Sequence, residues 1–351
     1  MHVVLADPPA FTPQYDHALA AALAARGARV ELATAPFRFG ELPPARGYRR
    51  LELFYPVSSR LFRRSPLRLP VKALEHPLGM ARLAALRPDV VHLQWLAWPR
   101  LDRALLRLRA PAVFTAHDLL PRRSAAQTGL WLALFRRFRR VVVHSERGRD
   151  TLAALGVPEQ VLRVIPHPVF PSDPARADDG RTLLSLGVIR PYKGLSDAIA
   201  AAKAADGARL LVVGDPAEPV ARYQAEAGAV AEWRLGYLPD RELDRALGEA
   251  TIAVFPYRAE IDQSGALLRA LGAGVPAVVY DVGGLAEPVR AYGAGRVVPA
   301  GDVGALTTAV AELLGDHAAL EAARAGALRA RSELTWERAA AAHLIVYEEV
   351  A

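Results

Sequence analysis

Residues Val254–Val289, VFPYRAEIDQSGALLRALGAGVPAVVYDVGGLAEPV, decide the fold of this chain. A short apolar run gives way to a polar loop, and Ser264-Gly265 then opens an apolar helix. A Gly-Val-Pro turn leads into a second strand, Ala277–Tyr280, and Gly283-Gly284 into a second helix. Strand, loop, helix, strand in this rhythm builds a parallel sheet. Each helix opening offers free backbone N–H groups and the positive end of a dipole. Two such openings on adjacent strands suit a diphosphate, so the stretch points to a nucleotide-type ligand.

Working outward, the same alternation fills the chain. Strands are predicted near 182–187, 210–214, 230–235, 252–256, 276–280 and 296–298, followed by two long helices over 302–329 that break near Gly315, and a last helix over Trp336–Glu349. Upstream, strands are predicted at His2–Ala6, Arg29–Ala33, Val90–Leu93, Ala112–Thr115, Val141–His144 and Val161–Ile165, with helices between them. Residues 36–70, rich in Pro and Arg, read as a long loop with little regular structure, and such loops inside α/β domains are often functional. The stretch 166–180, PHPVFPSDPARADDG, is the best linker. The expected organisation is therefore an N-terminal domain over 1–166, joined by a returning helix over 335–351, a hinge over 167–180, and a second domain over 181–334.

The 351 residues suffice for two such domains, and 52% of them are apolar, enough for large cores. With no cysteine, disulfides and thiol nucleophiles are excluded. The first residues lack the basic leader and apolar length of a signal peptide, and no run of about 18 apolar residues suits a membrane span. A cytoplasmic protein, at the inner face of the cell membrane in one reading, is expected. The formal charge of +7 is unevenly spread. Arg46, Arg49, Arg50, Arg60, Arg63, Arg64, Arg68 and Lys72 face a single acid, Glu52, and a second cluster runs Phe135-Arg136-Arg137-Phe138-Arg139-Arg140. Arginine mixed with Phe, Leu and Trp suits peripheral contact with an anionic membrane; the competing reading is an ordinary solvated Arg-rich surface. Nucleic-acid-reading motifs are absent, so no nucleic-acid partner is expected.

In open α/β sheets ligands bind at the carboxyl ends of strands, and there the candidates gather. His117, His144 and His167 each follow a strand, at spacings unlike a compact zinc motif. Arg190 and Lys193 follow the strand near 182–187. Gly214-Asp215 follow the next, with Asp215 as a helix N-cap in the alternative reading. Glu260, Asp262, Gln263 and Ser264 follow Ile252–Phe255. Two cations beside a helix opening can neutralise a diphosphate as it leaves. No GxxxxGK[ST], GxSxG or dinucleotide fingerprint occurs.

Six segments, IPHPVF, SLGVIRPYKGL, LLVVGD, LGYLPDRELDRAL, the Val254 stretch and DVGGLAEPV, together with TAHD and VVHSE upstream, resemble family 4 of the retaining glycosyltransferases. The resemblance implies the GT-B fold, two Rossmann-like doubly wound parallel-sheet domains facing a cleft. It implies a nucleotide diphosphate sugar of UDP or GDP type as donor, no cofactor or metal, and a lipid-linked, glycan or small-molecule acceptor, in cell-envelope or polysaccharide synthesis. By the same resemblance Arg190 and Lys193 would hold the diphosphate, and the backbone of Ser264, Gly265 and Ala266 would cap it. His117 would orient the donor sugar, the Gly236-Tyr237-Leu238 turn would line the base pocket, and Gly214, Asp215 and Gln263 would complete the donor site. Relatives carry two glutamates eight residues apart across this loop and helix. Here Asp262 or Glu260 stands for the first, and Arg269 occupies the place of the second, which grips the ribose. Two alternatives are a non-catalytic nucleotide-sugar-binding scaffold and a sugar-nucleotide epimerase of the same architecture.

Overall fold

A computed structural model describes residues 1–37, 42–61, 65–120, 126–258 and 261–351. The chain divides into two compact units, Met1–Pro166 with Trp336–Ala351, and His167–Thr335.

In the first unit, strands β1 (His2–Asp7), β2 (Arg29–Thr34), β3 (Arg49–Glu52), β4 (Val90–Leu93), β5 (Ala112–Thr115), β6 (Arg140–Val143) and β7 (Leu162–Val164) form one parallel sheet in the order β3-β2-β1-β4-β5-β6-β7. Helices α1 (Pro13–Ala25), α2 (Arg68–Ala85), α3 (Pro99–Leu105), α4 (Thr128–Phe135) and α5 (Glu146–Ala154) alternate with them. Side chains alternate across a strand, and β1 shows the result. Val3 and Leu5 pack with Tyr15, Leu19 and Leu23 of α1, while Val4 and Ala6 pack on the opposite face with Met80 and Leu83 of α2 and Trp131 of α4. Both faces are covered, which is why the strands read as continuous apolar runs.

The second unit repeats the plan. Strands β8 (Thr182–Leu186), β9 (Arg209–Gly214), β10 (Ala231–Leu235), β11 (Ile252–Phe255), β12 (Ala277–Tyr280) and β13 (Gly295–Val298) run in the order β10-β9-β8-β11-β12-β13, all parallel. Helices α6 (Leu195–Ala204), α7 (Ala221–Ala227), α8 (Asp240–Glu249), α9 (Gly265–Gly272), α10 (Ala286–Tyr292), α11 (Val303–Gly315) and α12 (His317–Glu333) belong here, and α13 (Trp336–Glu348) returns to the first unit. There Trp336 meets Tyr15 edge-on, and the Tyr347 hydroxyl lies 2.7 Å from His92 Nδ1.

Two expectations need correcting. The loop read over 36–70 contains β3, a 3-10 turn at Ser58–Arg60 and the start of α2. RRLE, four residues on a sheet edge with no alternation of hydrophobicity, carries no strand signal, yet its backbone completes the ladder of β2. Residues 167–180 are held to the second unit: Val169 N–H donates to Leu334 O, Ser172 N–H to Gly272 O and Ala177 N–H to Gly248 O. Among the described residues no helix is long and apolar enough to cross a membrane.

A buried acidic pair locks the turn after β1. Asp7 accepts from Thr12 N–H at 3.0 Å, and Asp7 and Asp16 are both buried in the core as interacting carboxyls. With both ionised, each Oδ1 is buried with no donor, and a proton shared between the two carboxyls would satisfy them. Burial pushes Asp7 up to about 6, and burial together with Asp7 raises Asp16 well above its ordinary range. A carboxyl raised in the folded state retains a proton that the unfolded chain gives up, so its contribution to stability falls as pH rises through about 6. Asp16→Asn replaces the shared proton with an amide donor. It is expected to raise the melting temperature at pH 8, by the equivalent of on the order of 1–3 kcal/mol, and the gain should shrink below pH 5. Buried His92, His144 and His343, held neutral by burial, titrate in the opposite sense in both proteins and cancel in the difference. An equal melting temperature at pH 8 would contradict the shared proton.

Candidate functional site

In the second unit the strand order reverses direction between β8 and β11, and crevices at such points take ligands. The carboxyl edge here is built of backbone. Gly187 N–H donates to Val213 O at 2.8 Å and Gly236 N–H to Gly214 O at 3.0 Å, so Gly187, Gly214 and Gly236 form a row across β8, β9 and β10. Gly214 has φ +151°, and a Cβ there would lie 2.1 Å from Gly187 O. Only glycine permits this approach.

Lys193 closes the row. It ends a 3-10 turn, Pro191–Lys193, capped by Gly194. A Cβ on Gly187 would lie 2.9 Å from Lys193 Nζ and 3.4 Å from Ala266 Cβ. The ammonium and the first turn of α9 therefore both border Gly187. The ammonium also lies 5.1 Å from the centroid of the Tyr257 ring, a cation–π contact. The Tyr257 hydroxyl is 3.1 Å from Ser264 Oγ, which caps α9 by accepting from Leu267 N–H. Gly265 is exposed and Ala266 partly so, leaving the first N–H groups of α9 open. Asp262 is buried, and Gln263 donates its amide to Gly284 O at 3.1 Å, tying this loop to the turn before α10. Arg190 is exposed beside the 3-10 turn.

The remaining predicted residues divide. Asp215 is no helix cap: α7 begins only at Ala221, and the Asp215 carbonyl accepts from Ile189 N–H. Tyr237 is 58% exposed after β10, whereas Leu238 packs against the core. Glu260 lies outside the described residues, as do Arg63 and Arg64 of the basic run. Arg269 is held between Asp240 Oδ1, 3.4 Å away, and the Phe170 ring, 5.1 Å away. Partial burial and Asp240 raise the Tyr237 phenol, and Arg269 opposes them, so these three residues form one group.

In the first unit, His117 and His144 follow β5 and β6. His144 Nδ1–H donates to Ile165 O at 2.9 Å, which leaves its Nε2 as an acceptor facing His117 Nδ1 at 3.3 Å. His117 Nε2 lies 2.9 Å from Gln94 Oε1, an acceptor, so this contact calls for a proton on Nε2. Trp95 stacks on the His117 ring, with centroids 5.3 Å apart, and Tyr15 meets it edge-on. Trp95 Nε1–H donates to Thr12, so the turn locked by Asp7 also positions the platform under His117. His167 belongs to the second unit, against Phe170. Among the described residues no group of three His, Cys, Asp or Glu side chains is arranged to hold a metal ion.

Sequence reasoning missed Gln94, Trp95 and Tyr257, although each stands within two residues of a strand end. It also missed the Asp197 clamp. Arg258 donates to both Asp197 oxygens, at 2.6 and 2.9 Å, and the Tyr280 hydroxyl to one at 3.0 Å, which fixes the chain leaving β11.

Comparison with known proteins places each unit. The family described as Glycosyltransferase Family 4 matches residues 14–173, and Glycosyl transferases group 1 matches 180–316. A 2-deoxystreptamine N-acetyl-D-glucosaminyltransferase of Streptomyces fradiae is 30% identical over 66% of this chain and 63% of its own. A phosphatidyl-myo-inositol mannosyltransferase of Mycobacterium leprae is 33% identical over 49% of this chain and 47% of its own. The chain thus spans less than two thirds of the length of these relatives. Among solved structures, the Anabaena protein HepE in complex with UDP and glucose superposes with a TM-score of 0.73 at 14% identity, covering 99% of this chain and 100% of that one. With one such family on each unit and that fold along its whole length, this chain belongs to the family 4 glycosyltransferases of the GT-B fold.

Proposed function

We infer that this protein is a retaining glycosyltransferase that moves a hexosyl unit from a nucleotide diphosphate sugar to a hydroxyl acceptor. The observation that carries the reading is the placement of Lys193 Nζ and the open first turn of α9 around Gly187 at the β8–β11 switch point. A departing diphosphate needs positive charge fixed in place before the bond breaks, and preorganised donors supply it with little reorganisation. Lys193 and the N–H groups of Gly265 and Ala266 would meet the diphosphate, with Arg190 at its outer side. The anomeric carbon would be attacked on the face the diphosphate leaves, with the leaving phosphate accepting the acceptor's proton. Such chemistry asks the protein for positioning and charge rather than a dedicated base, and needs no metal.

His117, held by His144 and Trp95, is assigned to orient the donor sugar. The row Gly187, Gly214, Gly236 lets a nucleotide approach backbone, with Tyr237 and Leu238 beside the base and Asp262 and Gln263 shaping the loop before α9. A UDP-type donor is supported by the UDP complex of the Anabaena neighbour. The named acceptors of the two relatives, 2-deoxystreptamine and a phosphatidyl-myo-inositol, share a polyhydroxylated six-membered carbocycle. We therefore assign a cyclitol-type hydroxyl acceptor, free or lipid-linked. A scaffold that binds donor without transfer is the second reading, favoured by Arg269 at the ribose position.

Lys193→Ala is expected to lower donor turnover at least about tenfold with the melting temperature retained; an unchanged rate would remove Lys193 from the role. In a thermal-shift titration with UDP, GDP, ADP and dTDP, one nucleotide should stabilise the protein with or without Mg²⁺. At about 100 times its Kd the gain is about 2.7 kcal/mol. Failure of all four to bind would mean that Arg269 has abolished the ribose site. Binding without transfer to inositol, 2-deoxystreptamine or lipid-linked acceptors would favour the scaffold.

A further inference from the structure

A second charged site lies at the opposite edge of the first sheet. A groove of about 640 Å³ opens where β5 and β6 begin. Leu106 and Arg109 of the segment after α3 form one wall, and Arg136–Arg140, the turn from α4 into β6, forms the other. The volume falls in the range of small-ligand sites, about 300–1,000 Å³. His117 stands at the far end of β5, a strand of four residues, about 13 Å away at the usual rise per residue.

The backbone carrying these arginines is pinned. Phe138 is buried and stacks on Phe114 with centroids 5.0 Å apart. Arg139 N–H donates to Ala112 O, and Arg137 N–H to Leu134 O. The guanidinium groups, by contrast, lack acidic partners. Several arginines pair with acids: Arg163 and Arg140 with Glu349, Arg234 with Glu249, Arg331 with Asp173. Arg109, Arg136, Arg137 and Arg139 pair with no acid among the described residues, and Glu349, the one acid lining the groove, is already shared by Arg140 and Arg163. Two of the four stand just past α4, where cations favour the helix dipole. That effect accounts for neither Arg109, across the groove, nor Arg139, at the strand. Four like charges line one groove, and an anion bound there would be drawn to all of them. Guanidinium groups pair with phosphate bidentately.

We propose that this groove is a binding site for a phosphate-dense anion, separate from the donor site. The shared chemistry is two or more neighbouring phosphate groups, whether on a soluble condensed phosphate or on a lipid headgroup. The site stands whether or not the proposed transfer reaction is right.

The test is calorimetric titration of the full chain with inorganic tripolyphosphate, with UDP present to occupy any nucleotide site. Wild-type protein should bind, more weakly at high salt. Arg137→Gln/Arg139→Gln should lower the affinity at least about tenfold, and Arg109→Gln, across the groove, should weaken it too if the double variant does not fold. Arg82→Gln/Arg87→Gln, the same charge removed elsewhere, should leave it within about twofold. Co-sedimentation with phosphatidylcholine vesicles containing phosphatidic acid, lost in the Arg137→Gln/Arg139→Gln protein, would identify a lipid source. Tripolyphosphate binding without vesicle binding would identify a soluble one. The proposal is overturned if wild type does not bind tripolyphosphate, if affinity survives in the groove variants, if Lys193→Ala alone abolishes it, or if the Arg82/Arg87 control weakens it equally.

Discussion

The candidate donor site depends on one close approach of backbone to backbone. Gly214 passes so near the Gly187 carbonyl that a methyl group could not be inserted. That contact lets β8 and β9 end in register with bare backbone at the edge, where Lys193 and the first turn of α9 both border Gly187. A side chain at Gly214 would run into the Gly187 carbonyl, and one at Gly187 would displace the Lys193 ammonium. The chemistry rests on the absence of two Cβ atoms as much as on any charged group.

Around that contact the two units use different physics. The second fixes its loops with backbone hydrogen bonds and two-bond ion pairs such as Asp197 with Arg258, whose geometry survives a half-exposed guanidinium because two parallel bonds define it. The first positions His117 through a chain of buried polar groups, from Ile165 O through His144 to His117 and on to Gln94. Ile165 O fixes the proton on His144 Nδ1 and so leaves His144 Nε2 as an acceptor toward His117. Burial holds His144 down at about 4, which keeps it neutral in that role.

Much of this was legible in the sequence, because the signals were local. Strand runs flanked by helices gave both sheets, and the rule that ligands sit at carboxyl ends of strands pointed to Lys193 and Ser264. What escaped was set by contacts distant in sequence. Arg49–Glu52 becomes a strand only because β2 offers it a ladder. Arg269 meets Asp240 and Phe170 through the packing of α9, α8 and the 167–180 segment, and no pattern in any one of them announces it. Asp215 looked like a cap because Asp after a strand often is one; the intervening residues delay α7 to Ala221. Gln94 and Trp95 were readable by the same rule that found His117, but they are not titratable and drew no attention.

The topologically equivalent crevices of the two units also differ in sign. The end of β8 leads to Gly187 and Lys193, beside the positive end of α9. The end of β1 leads to Asp7, paired with Asp16 around a shared proton. An anion is drawn to the first and gains nothing at the second, where a carboxyl pair orders a turn and, through Thr12 and Trp95, a histidine. One architecture used twice has thus become a cationic cradle in one unit and an acidic, hydrogen-bonded turn in the other.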